Sequence, residues 1–99
     1  MYAEKLCQEL GEGFDTAFFF NSGSESNDFA YNLAKAYTRN NVVVALRGGY
    51  HGTVGNAYDL TSIGSWTTPL SKGSALERLA WPNYYKNPHL TVDSLLADA

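Results

Sequence analysis

Residues 17–27 read AFFFNSGSESN, and the expected architecture follows from them. The first four residues form a short apolar run rich in aromatic side chains, which predicts a strand buried on both faces of a sheet. Asn21 to Ser24 form a turn, and a helical pattern begins at Glu25. These residues therefore predict the junction between a parallel strand and the helix that follows it.

The residues after this junction complete a repeating pattern of strand and helix. The helical pattern continues from Glu25 to about Arg39, with an apolar stripe on one face. Val42 to Leu46 is a β-branched run without alternation, which predicts a second doubly buried strand. These elements have the size of one βαβ unit, whose strands are parallel and joined by a right-handed crossover. We therefore expect an α/β fold, and one that needs more sheet than these two strands supply.

The remaining segments carry weaker signals. Residues 2 to 10 have apolar side chains at helical spacing, and the glycines that follow end this helix. Val54 to Leu60 is expected to hold one or two helical turns, whereas residues 66–89 are interpreted as mostly irregular chain. Thr91 is expected to cap a final helix.

Composition narrows the classes of function. The chain has 99 residues, of which 44% are apolar and 17% charged, so it is globular rather than disordered. A net charge of -3 gives no electrostatic reason to expect nucleic acid or an anionic membrane as partner. No apolar run approaches the roughly 20 residues that span a bilayer. The only cysteine, Cys7, lies on the apolar side of a predicted helix, which favours a buried packing residue over a reactive thiol.

The loop of residues 21–27 allows two interpretations. It lies between the end of a predicted strand and the start of a helix, where free backbone N–H groups and the helix dipole favour an anion. Gly23 permits close approach, and Ser22 and Ser24 add hydroxyl donors, as in a phosphate-binding loop. In the alternative, Ser22 caps the helix and Glu25 completes a capping box.

A second glycine-rich loop, residues 47–52 (RGGYHG), follows the second predicted strand. Ligands in parallel α/β sheets bind outside the carboxyl ends of the strands, so this loop is expected to lie beside the first. Tyr50 can stack on a flat ring, and His51 can donate a hydrogen bond or handle protons. The alternative is an ordinary glycine turn with a half-buried tyrosine. Walker loops, nucleophile elbows and metal-binding histidine spacings do not match the sequence.

Together the two loops resemble a known family. Residues 20–27 (FNSGSESN) and 47–52 (RGGYHG) agree in order and spacing with fold-type-I pyridoxal-phosphate (PLP) dependent aminotransferases of class III. That family includes ornithine, 4-aminobutyrate and alanine–glyoxylate aminotransferases. Ser26 and Gly49 stand where the family usually has alanine, and both keep a small side chain.

The resemblance implies roles for individual residues. Gly23 and Ser24 would hold the PLP phosphate, with Ser22 in the same cofactor-binding loop. Tyr50 would stack on the pyridine ring and His51 would lie close to it. The lysine that forms the Schiff base and the aspartate that binds the pyridine nitrogen lie well downstream of this region in the family. The resemblance therefore implies no catalytic residue in this chain, and the spacing of His51 and His89 predicts no metal ligand.

The resemblance also implies what a complete protein would do. It extends from Tyr2 to about His89, and residues 60–66 and 82–86 are most similar to the alanine–glyoxylate branch. Residues 1–99 would be part of the large PLP-binding domain of a homodimeric, intracellular enzyme, with mitochondria as one location. The substrates would be an amino acid and a 2-oxo acid, without nucleic acid or membrane as partner. The alternatives are a non-catalytic phosphate-binding α/β module and a structural remnant that binds nothing.

Overall fold

The computed structural model describes residues 1–68 and 76–97. These residues form four α-helices, one 3₁₀ turn and two strands. The helices are α1 (Tyr2–Leu10), α2 (Gly23–Thr38), α3 (Gly55–Leu60) and α4 (Val92–Leu96). The strands are β1 (Val43–Leu46) and β2 (Leu76–Leu79), and the 3₁₀ turn is Gly64–Trp66.

The predictions that rested on local helical signals are confirmed. Helix α1 has the predicted bounds, and α2 begins at Gly23, two residues before the predicted start. Helix α3 lies within the predicted turns, and Thr91 caps α4 because its Oγ1 accepts from the N–H of Ser94 at 3.2 Å. The second predicted strand is confirmed as β1.

The strand predicted at Ala17 to Phe20 is wrong. This run has no regular secondary structure, and Phe18 and Phe19 are each 59% exposed. The Phe18 and Phe20 rings instead pack on Phe29 of α2, with centroids 4.9 and 5.1 Å away. A strand forms only where a neighbouring strand takes its backbone hydrogen bonds, and within the described residues β1 pairs with β2 alone.

The strand that does pair with β1 lies in the range interpreted as mostly irregular. Residues 69–75 of that range lie outside the described residues, and β2 follows them. The two strands are parallel, with Val43 opposite Leu76 and Leu46 opposite Leu79. The N–H of Arg47 extends the pairing by donating to the carbonyl of Leu79 at 2.8 Å. The observed βαβ unit is therefore β1, α3 and β2. The predicted unit ended at the strand that is now β1, so the observed one begins where the predicted one ended.

Helix α3 is held at both ends by charged side chains from other elements. At its N-terminus the Asp28 carboxylate of α2 accepts from the Asn56 backbone N–H at 2.6 Å and from its side-chain amide at 2.7 Å. At its C-terminus the Arg78 guanidinium of β2 donates to the carbonyls of Asp59, Leu60 and Thr61 at 2.8 to 3.3 Å. Both charges have the sign that the helix dipole favours, and a six-residue helix is marginal without such support.

Candidate functional site

The N-terminus of α2 is capped by Ser22. Its backbone is extended, and its Oγ accepts from the N–H of Glu25 at 3.2 Å. The same hydroxyl donates to Oε2 of Glu25 at 2.9 Å, so its proton is already used. The helix cap by Ser22 that the sequence allowed is therefore present. The capping box is incomplete, because the Glu25 carboxylate accepts from the Ser22 hydroxyl and not from the Ser22 backbone N–H.

The next two residues leave hydrogen-bond donors free. Within the described residues, the backbone N–H groups of Gly23 and Ser24 donate no hydrogen bond, as expected for the first turn of a helix. A Cβ built on Gly23 would meet no atom within 4 Å, so the approach to this helix end is open. Ser24 Oγ accepts from the N–H of Thr53 at 3.1 Å, which leaves its own proton to donate elsewhere. The 16-residue helix adds a dipole that favours an anion here, whereas the Glu25 carboxylate opposes one.

The second loop lies against the first, as predicted. Besides the bond from Thr53 to Ser24, the two loops meet at Gly52, whose φ is 146°. A Cβ at Gly52 would lie 2.8 Å from Ser24 Oγ and 2.9 Å from both Ser24 Cα and Ala57 Cβ. Only glycine fits this contact, because both the space and the φ value exclude a side chain.

His51 is held through its backbone. Its N–H donates to Thr61 Oγ1 at 3.0 Å, and its carbonyl accepts from Asn27 Nδ2 at 2.6 Å. Its imidazole Nε2 is buried and has no hydrogen-bond partner among the described residues. The ring lies close to Gly49, where a Cβ would come within 2.8 Å of Nε2. A buried polar nitrogen without a partner is unusual in a folded protein, so the position of this one needs an explanation.

Tyr50 presents an aromatic surface beside His51. Its side chain is 48% exposed, and its ring contacts Trp66 in a T-shaped pair with centroids 5.2 Å apart. This matches the half-buried tyrosine of a glycine turn, and it also leaves ring surface for stacking on a ligand. The structure thus brings Ser24 into contact with the loop that carries Tyr50 and His51, whereas the Ser22 hydroxyl turns to Glu25.

The sequence patterns did not single out the residues that hold the loop in place. Asn27 belongs to the first motif, but its contact joins residues 24 positions apart. Thr61 ends α3 and is fully buried, and nothing in its local sequence distinguishes it from a surface threonine. Local sequence could indicate only the free backbone N–H groups of Gly23 and Ser24 at the start of α2.

The described residues contain neither a membrane-spanning helix nor a cluster of metal ligands. None of their helices is long and apolar enough to cross a membrane. No group of three or more His, Cys, Asp or Glu side chains in the same part of the chain is arranged to hold a metal ion.

Several curated enzymes are similar to this chain. Alanine–glyoxylate aminotransferase 2, mitochondrial, is 36% identical in Pongo abelii and 34% identical in Homo sapiens, each over 87 residues that cover 88% of the chain. Ethanolamine-phosphate phospho-lyase homolog 1 of Caenorhabditis elegans is 30% identical over 102 residues and covers 97% of the chain.

The similarity covers a minor part of these relatives. The chain spans 17% of the length of the two aminotransferases and 21% of the length of the phospho-lyase homolog. No protein-family model matches the chain, and no solved structure matches it significantly. By these alignments the chain is similar to one segment of the aminotransferases that include alanine–glyoxylate aminotransferase 2.

Proposed function

We propose that this segment binds the phosphate of pyridoxal 5'-phosphate at the N-terminus of α2, as part of a PLP-dependent aminotransferase of class III. The observation that carries the proposal is the pair of unpartnered N–H groups on Gly23 and Ser24 at an open helix end. A phosphate offers only acceptor oxygens and negative charge, which is what such a helix end binds. The named aminotransferase relatives agree with this cofactor.

The residues present fit the cofactor in three respects. Gly23 leaves room for the phosphate to reach the backbone, and Ser24 has one N–H and one hydroxyl proton to donate. Tyr50, on the adjoining loop, supplies exposed ring surface for a flat heterocycle. The buried Nε2 of His51 can exchange a hydrogen bond with a polar group of the ring or substrate. The Glu25 carboxylate is bonded to the capping Ser22 at the same helix end and is the one group there that opposes an anion.

These residues bind and orient, and they do not themselves perform the chemistry. Bound PLP supplies an electron sink for the bonds at the amino-acid carbon. Ser24 and Gly23 would fix one end of the cofactor, and Tyr50 would limit its tilt and exclude water from one face. His51 would keep a hydrogen-bonding nitrogen at the edge of the ring. The covalent lysine and the pyridine-binding aspartate would come from other parts of the protein.

The reaction of the complete protein would be the transfer of an amino group from an amino acid to a 2-oxo acid, with alanine and glyoxylate as one pair. A homodimer and a mitochondrial location go with this proposal. The mitochondrial names of the relatives support the location.

The proposal is tested with serine variants of the full-length protein. Ser24→Ala removes a donor to a charged group, worth about 1.5–3 kcal/mol, so PLP affinity should fall roughly ten- to a hundredfold. Ser22→Ala removes the helix cap and should lower apo stability by about 1 kcal/mol, with a smaller change in affinity. Ser94→Ala, a change in α4, is the matched control, because Ser94 bonds only Thr91 in the described structure.

Dissociation constants for PLP and apo melting temperatures are measured side by side. The proposal is rejected if Ser24→Ala lowers apo stability and leaves PLP affinity at the parent value. That result would assign the Ser24 hydroxyl to its bond with the Thr53 N–H alone and would favour a remnant that binds nothing.

A further inference from the structure

The innermost polar side chain of the described residues is Thr61, which has no exposed surface. We infer that Thr61 is a positioning residue, which sets the place of His51 and Tyr50 against the bound cofactor. The inference rests on the proposed function. It assigns to Thr61 the geometry of the second loop, while Gly23 and Ser24 hold the phosphate.

The Thr61 hydroxyl makes every hydrogen bond that its chemistry allows. It accepts from the N–H of His51 at 3.0 Å and from the N–H of Gly52 at 3.2 Å. It donates toward the carbonyls of Gly52 at 2.8 Å and Ala57 at 3.1 Å. A hydroxyl has two acceptor positions and one proton, so this one is saturated. The buried Thr61 Oγ1 therefore links the second loop to helix α3.

A second side chain holds the same residue from the other side. Asn27 Nδ2 donates to the His51 carbonyl at 2.6 Å, and Ser24 Oγ accepts from the N–H of Thr53 at 3.1 Å. The polar backbone groups around His51 are thus held by Thr61 on one side and by α2 on the other. The loop has little freedom to shift along either direction.

The backbone fixes the imidazole because little else does. His51 Nε2 has no partner among the described residues, and its ring lies close to Gly49. Its position therefore follows that of the His51 peptide, which Thr61 holds. Tyr50 is the preceding residue and would move with the same peptide. Displacement of a supporting group by about 1 Å is enough to impair a bound constellation.

Thr61 is itself well anchored. Its N–H donates to the Ala57 carbonyl at 3.2 Å at the end of α3, and its carbonyl accepts from Arg78 at 3.3 Å. The guanidinium belongs to β2, so the support of the loop runs from the sheet through Thr61 to His51. Because Thr61 is held by the sheet, its hydroxyl can hold the His51 and Gly52 backbone in one position.

The experiment compares Thr61→Val and Thr61→Ser in the full-length protein. Valine keeps the shape and removes the hydroxyl, whereas serine keeps the hydroxyl and is the rescue variant. Amide hydrogen exchange of His51 and Gly52 is measured in the apo protein, and the visible circular dichroism of bound PLP reports cofactor orientation. Thr61→Val should speed exchange at both amides by on the order of tenfold and change the PLP dichroism. Thr61→Ser should resemble the parent in both.

The inference is overturned if Thr61→Val leaves the two exchange rates unchanged. It is also overturned if the rates and the melting temperature change but the PLP dichroism of the folded protein does not, because the role is then structural. If Thr61→Val does not fold, Asn27→Ala decides, since Asn27 is exposed and holds the same peptide. An unchanged dichroism in Asn27→Ala then rejects the inference. The exchange measurement needs no cofactor, so it stands even if Ser24→Ala refutes the proposed phosphate site.

Discussion

A valine at position 23 would separate phosphate binding from folding. Gly23 is the first residue of α2, its φ is not positive, and a Cβ there would meet no atom within 4 Å. The apo protein should therefore accept Gly23→Val without strain. The phosphate, in contrast, would have to approach the backbone through the space that the new side chain fills.

The two effects have opposite signs. Replacing glycine by a residue that fits its conformation stabilises a protein by about 0.4–1 kcal/mol, because the unfolded chain loses freedom. Loss of the hydrogen bond from Gly23 N–H to a charged group costs about 1.5–3 kcal/mol, which weakens PLP binding roughly ten- to a hundredfold. An apo protein of equal or higher stability with weaker cofactor affinity is therefore the expected signature.

Apo melting temperature and PLP titration of the full-length variant measure both quantities. Gly13→Ala is the control, because Gly13 also has open space but a φ of 93°, so strain of about 1–2 kcal/mol should lower its stability. It lies outside the two loops, and its PLP affinity should stay at the parent value. Parent-like affinity in Gly23→Val would refute the approach of an anion to this helix end. A destabilised apo Gly23→Val would show that the space is not open.

Two further predictions concern the supports of the site. Gly52→Ala should destabilise the full-length protein by roughly 2–6 kcal/mol in urea unfolding, because overpacking against Ser24 adds to strain at a positive φ; a loss below about 1 kcal/mol would contradict the contact between the loops. Arg78→Met keeps the aliphatic stem but removes three bonds to the end of α3, and should cost about 1–3 kcal/mol. Arg78→Lys should recover only part of this stability loss, since one ammonium group cannot reproduce the several N–H donors of the guanidinium. Full recovery of stability in Arg78→Lys would contradict this role of the guanidinium.

Local signals in the sequence predicted the helices and β1, whereas non-local pairing decided which other segment forms a strand. The bounds of α1 and the cap of α4 follow from neighbouring residues, and both were predictable. An apolar run at residues 17–20 met the pattern of a buried strand, but it pairs with no strand in the described structure. Strand β2, read as LERL, has charged residues at two of four positions and gave no strand pattern. Its partner is 33 positions earlier, as Val43 opposite Leu76 shows.

The candidate site was also predicted only in part, because some of its contacts depend on the packing of distant segments. Free donors at Gly23 and Ser24 follow from a loop placed before a helix, which sequence can indicate. The second loop was expected nearby because two parallel strands would end together, but it is joined to the first by Ser24 and Gly52. Thr61 was not predicted, because its partners lie 9 and 10 positions away and depend on the packing of α3.

The two charged side chains that hold the ends of α3, Asp28 and Arg78, have a consequence for the folding kinetics. Asp28 is 28 positions from Asn56, and Arg78 is 19 positions from Asp59, so both contacts close long loops. Six residues cannot nucleate a helix alone, so α3 should form only after α2 and β2 have come together. Substitutions in α3 should then speed unfolding and leave the folding rate nearly unchanged, with φ-values near zero. The loop that depends on Thr61 would become ordered in the same late step.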